Sequence, residues 1–113
     1  MLSLAACTTL KRGDSTADET EVVTVTVVNH HPLNVTVFSV AQGRRDRLGE
    51  VTTAATSSFK VHMRRLPGNE MQLLADPVGS SRTTTSELLH VGPGDTVQWI
   101  LETDLARSHV QIR

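Results

Sequence analysis

One cysteine, no tyrosine and an aromatic share of 3% are the first constraints set by this 113-residue chain. With Cys7 alone, neither an internal disulfide nor a cysteine-based zinc cage can form, so the fold must hold by packing. No run approaches the roughly 18 consecutive apolar residues that cross a bilayer as a helix. The formal net charge is −1, which provides no long-range field for nucleic acid, and nucleic acid is not an expected partner. Helical periodicity is missing too, since no segment repeats its apolar residues every three to four positions. Catalytic signatures are equally scarce. The chain has no Gly-x-Ser-x-Gly elbow, no His-Glu-x-x-His and no Gly-rich phosphate loop ahead of a helix, and its carboxylates scatter over linker and turns. Neither an enzyme nor a cofactor is expected.

What is present is valine and threonine in alternation, above all in Val22 to Val40. Both are β-branched and suit a pleated, half-buried surface. Val23, Val25 and Val27 share one face, and Asn29-His30-His31-Pro32 breaks the run because Pro32 lacks a donor and Asn favours turns. Leu33 to Val40 resumes it, with Val35 and Val37 competing against Phe38 and Val40 for the inward side. The two strands are expected either to form a hairpin or to cross between sheets. Arg44 to Val51 is polar and suits a sheet edge, where charge discourages pairing with other molecules.

Ser57 to Arg64 gives the clearest alternation: Phe59, Val61 and Met63 point one way, Lys60, His62 and Arg64 the other. Pro67-Gly68-Asn69 closes that strand. Met71 to Asp76, Thr83 to Val91, Thr96 to Glu102 and Ser108 to Arg113 follow, with Gly92-Pro93-Gly94-Asp95 as a tight turn before Val97, Trp99 and Leu101. About seven or eight short strands at even spacing predict a single antiparallel β-sandwich, immunoglobulin-like or transthyretin-like, over residues 22–113.

Ahead of it, Thr8 to Glu21 is rich in Ser, Thr and charge and reads as a flexible linker. Residues 1–7, Met-Leu-Ser-Leu-Ala-Ala-Cys, end in Leu4-Ala5-Ala6-Cys7, which resembles the lipobox of bacterial lipoproteins. The resemblance implies a diacylglyceryl thioether on Cys7 and a membrane partner through that anchor. Small residues fit the signal peptidase site, and the thiol is the nucleophile for the lipid. A leader of this type needs a basic segment and a longer apolar stretch, so residues 1–7 are read as the truncated end of one. Thr8 rather than Asp after the cysteine fits outer-membrane delivery under the sorting rule of such lipoproteins.

Val91 to Trp99, with its Pro-Gly-Asp-Thr-Val turn and strand, followed by His109, resembles a cupredoxin stretch. Copper in that family also needs a thiolate and a second histidine. Here four residues follow His109 and the sole cysteine is Cys7, so no metal is expected, and His30, His31 and His109 are retained only as candidate ligands. His62 and His90 lie on separate strands. Arg44, Arg45 and Arg47 with Arg64 and Arg65 form a candidate patch for an anionic group or partner if their strands pair, since Arg suits phosphate and carboxylate; otherwise they are edge-strand protection. Asn34-Val35-Thr36 formally matches a glycosylation acceptor, which carries little weight beside a bacterial-type anchor.

The expected function is a non-enzymatic, lipid-anchored domain of the bacterial cell envelope that binds or spaces other envelope components. Alternatives are a periplasmic small-ligand or metal-binding module and a self-assembling adhesive or structural subunit.

Overall fold

The computed structural model describes residues 21–113. The lipobox-like residues, Cys7 and the linker up to Thr20 lie outside the described residues. The chain forms β1 (Val22–Asn29), β2 (Val35–Ala41), β3 (Arg44–Val51), β4 (Thr56–His62), β5 (Glu70–Pro77), β6 (Thr84–Thr85), β7 (Leu89–His90), β8 (Thr96–Leu101) and β9 (His109–Ile112). One sheet runs β4-β1-β8-β9. The other runs β3-β2-β5, and both β6 and β7 pair with the free side of β5. The two sheets pack into a β-sandwich, the fold class that the alternation predicts.

The alternating valines explain the core. Val23, Val25 and Val27 of β1 meet Val97, Trp99 and Leu101 of β8 from the same sheet, and Val35, Val37, Met71, Leu73 and Ala75 close over them from the other. All are buried. Chain direction departs from the expectation at one place. β1 and β8 pair in parallel, Thr24 beside Thr96 through Asn29 beside Leu101, whereas every other pairing is antiparallel. The Gly92–Asp95 turn sets up that pairing. Asp95 accepts the Gly92 N–H on its side chain at 2.8 Å, and Gly94 turns at a φ of +85°, open to glycine at little cost. Gly94 N–H then donates to Val22 O at 2.9 Å, and Thr24 N–H to Asp95 O at 3.0 Å, so the turn docks on the start of β1.

Several local expectations change. β1 and β2 cross between sheets. β2 starts at Val35 and turns Val35, Val37 and Ser39 inward, leaving Phe38 and Val40 on the outer face, where the Arg45 guanidinium lies 5.2 Å from the Phe38 ring centre. β4 ends at His62. Met63–Arg65 is a 3-10 turn, so Met63 packs on the core from a turn and Arg64 is not on a strand. The strand expected over Thr83 to Val91 breaks into β6 and β7, because the buried Ser86 hydroxyl accepts the Leu73 N–H at 2.9 Å and donates to Glu87 O at 2.9 Å. Val110 packs against the core, but Ile112 at the chain's edge stays 42% exposed.

β3 is an edge strand, as its charge suggests, and carries a bulge. The register steps from Val37 beside Gly49 to Phe38 beside Arg47, with Leu48 as the extra residue. Below the bulge Gly49 matches an inward valine, and a Cβ there would lie 2.6 Å from Phe59 Cε1. Phe59, on the edge strand of the other sheet, thus fills the mouth of the sandwich against bare backbone. Gly49→Ala should displace the ring and cost about 1–3 kcal/mol of stability. Adding Phe59→Leu should make the pair cheaper than the sum of the single changes. Urea titration followed by Trp99 emission measures both.

Candidate functional site

Strand directions sort the loops into two ends. Val22 pairs with His62, and Met63 N–H donates to Glu21 O at 2.9 Å, so the chain joins the fold beside the 3-10 turn of Met63–Arg65. This proximal end also holds the β2–β3 turn and the Gly92–Asp95 turn. The distal end holds the turn after Asn29 and the segments 52–55, 78–83 and 102–108.

Asn29 builds the distal end. It is the last residue of β1 and fully buried, not a solvent-facing turn residue. Its amide nitrogen donates to Leu33 O and to Val51 O, each at 3.0 Å, and its side-chain oxygen accepts the His31 N–H at 2.9 Å. Thr53 Oγ1 donates to His31 O at 2.6 Å, and Asn34 Oδ1 accepts the Thr53 N–H at 3.0 Å, locking the 30–34 turn onto the 52–55 turn. His31 Nδ1 accepts the Leu33 N–H at 3.2 Å, which puts the proton of the neutral ring on Nε2. His30 points elsewhere, its Nδ1 3.8 Å from Glu102.

A cleft of about 310 Å³ opens at this end, lined by His31, Ser80, Arg82, Thr83, Thr103 and Asp104 among others. Both signs of charge and several hydroxyls face it, and Leu33 and Val78 stand exposed on the same end. The sequence reading passes over Arg82 and Asp104, whose loops carry no motif. His109 lines an adjoining cleft of about 110 Å³ with Trp99 and Val110, which shares Thr84, Leu105 and Ala106 with the first. The three candidate metal ligands do not converge. Among the described residues no group of three or more His, Cys, Asp or Glu is arranged to hold a metal ion.

The arginines gather by another route than strand pairing. β3 and β4 lie in different sheets, so the strands expected to bring Arg44–Arg47 to Arg64–Arg65 do not pair. Their edges instead face each other across the sandwich mouth. The bulge turns Arg45 and Arg47 outward, opposite Val40 and Phe38, and Asp46 inward, opposite Ser39. Asp46 lies 3.7 Å from Arg44 and 3.6 Å from Arg65. A cleft of about 270 Å³ between the edges is lined by Asp46, Arg47, Lys60, His62 and Arg65 with Ser39, Leu48 and Val61. Lys60 and His62 enter the group from β4, a contribution visible in sequence only once both edges are known.

Neither a protein-family model nor a curated protein sequence matches the chain. In three dimensions it is similar to a protein from Eubacterium rectale whose structure was determined by NMR. The TM-score is 0.51 at 15% identity, over 85% of this chain and 90% of that one. At such identity the likeness concerns the fold alone, a β-sandwich.

The Asn29 network predicts its own test. Asn29→Asp keeps the shape but sets a carboxylate against the Leu33 and Val51 carbonyls, and should lower stability by about 2–4 kcal/mol in urea. His30→Ala, on the exposed side of the same turn, should stay within about 0.5 kcal/mol.

Proposed function

We propose that the chain is a non-enzymatic domain tethered by a lipid on Cys7 to a bacterial envelope membrane, on the outer-membrane side if the sorting rule holds, where it binds other envelope components. The observation that carries this reading is the separation of its two ends. The chain runs from Cys7 into the fold beside Met63–Arg65, and the His31, Arg82 and Asp104 cleft opens at the opposite end. A tether at the first end leaves the second facing away from the bilayer, free for a partner.

The distal cleft offers hydrogen-bonding hydroxyls with Arg82 and Asp104, and Leu33 and Val78 are exposed on the same end. Such a mixture suits the polar rim and small apolar centre of a protein contact. A small-ligand module is the second reading, favoured by the same cleft, whose volume sits at the lower end of the range for small-molecule sites. Assembly through strand edges is opposed at β3 by Arg44, Arg45 and Arg47.

The test is cellular. Expressed in a Gram-negative host with its natural upstream DNA, the protein should appear in the membrane fraction, with the mass of a diacylglyceryl-modified Cys7. Cys7→Ser should move it to the soluble fraction. A wild-type protein that stays soluble with a free thiol removes the anchored reading.

A further inference from the structure

We infer that the basic corner at the proximal end is a membrane-facing surface, which seats the tethered domain on anionic phospholipid headgroups. The inference rests on the lipid-anchored reading and adds an orientation to it.

Six of the chain's eleven Lys and Arg are involved: Arg44, Arg45, Arg47, Lys60, Arg64 and Arg65. Asp46 is the only carboxylate lining the cleft between them, and its two ion pairs engage Arg44 and Arg65. Among the described residues, Arg47, Lys60 and Arg64 have no carboxylate within 4.0 Å. The proximal end also carries Glu21, Asp95 and Glu70, the last 3.4 Å from His90 Nδ1. A chain of nearly balanced charge therefore concentrates positive charge at one place.

That place adjoins the tether. Arg64 follows Met63, whose N–H bonds Glu21 O, the point from which the chain departs toward Cys7. Fourteen residues, Thr8 to Glu21, separate the cysteine from β1, and fully extended they reach at most about 50 Å. A lipid on Cys7 would keep this corner near the bilayer at high effective concentration. Each Lys or Arg close to an anionic leaflet then adds about fivefold to partitioning, within a Debye length of roughly 8–10 Å.

The arrangement suits a surface more than a single small anion. The cations stand along both lips of an open cleft and on the turn beyond it, and all six side chains lie on partly or fully exposed positions. Spread guanidiniums can engage several phosphates at once, each in its own bidentate geometry. With the corner against the headgroups, the His31 cleft points into solvent.

The full chain carrying Cys7→Ser, which has no lipid, is sedimented with vesicles of phosphatidylcholine alone or mixed with phosphatidylglycerol. Retention is expected on the anionic vesicles only and should decline as salt rises. Arg47→Gln with Arg64→Gln should lower partitioning about 25-fold. Asp46→Asn, which releases Arg44 and Arg65, should raise it. The Trp99 urea midpoint of each variant checks that the fold is kept. Equal retention on both vesicle types, retention on neither, or a double variant that binds like its parent overturns the inference. So does loss of retention in millimolar inorganic phosphate, which would mark a discrete anion pocket. Because this protein is unlipidated, any of these failures leaves the result of the Cys7 fractionation standing.

Discussion

A single buried amide holds the two sheets in register at the distal end. Asn29 finishes β1 in one sheet and, through its side chain, holds Val51 at the end of β3 in the other. Its backbone N–H donates to Ala55 O at 2.9 Å and its carbonyl accepts from Ala54 N at 2.9 Å, while the next residue donates to Leu101 O at 2.8 Å. Two donors and one acceptor on so short a stem are available only from asparagine. Aspartate has the shape without the donors, and leucine has the volume without either. Among the described residues no buried side-chain polar atom lacks a partner, so this polar insertion into a valine core is fully satisfied, the condition under which it fixes geometry.

Much of the fold is legible in the sequence because alternation reports burial directly. Phe59 and Val61, Leu73 and Ala75, and Val97, Trp99 and Leu101 all face the way their spacing implies, Phe59 only partly buried. Where the reading stops, a competing interaction has taken over. In β2 both faces carry large apolar side chains; Val35 and Val37 go inside and take Ser39 with them, while Phe38 stays outside under Arg45. Between β6 and β7 a serine hydroxyl replaces the ladder. The parallel pairing of β1 with β8 leaves no trace in periodicity, since a strand with a buried face alternates identically beside either kind of neighbour.

The basic corner was half legible. Its arginines are conspicuous as pairs in the sequence, yet their meeting depends on a bulge at Leu48 and on two edges from different sheets, neither of which has a local signature. In the sequence Lys60 and His62 are the plain outer face of a strand, and only the apposition of the edges makes them part of a group. Arg82 and Asp104 lie in loops, whose residues carry no period to mark them. The histidines stand out by chemistry alone; His30 lies against Glu102, while His31 and His109 line adjoining clefts, and among the described residues no group of three metal-ligating side chains forms.

The parallel pair has a consequence for how such a domain comes into being. β1 is a central strand, but one of its neighbours is among the last segments of the chain to be made. Thr24 waits for Thr96, and the turn that docks on Val22 lies only just ahead of it. A partial chain therefore presents β1 with an open side, and contacts of such wide sequence separation form late and slowly. The sandwich cannot close before its C-terminal strands are available, and until then β1 stays open along the side that β8 will cover.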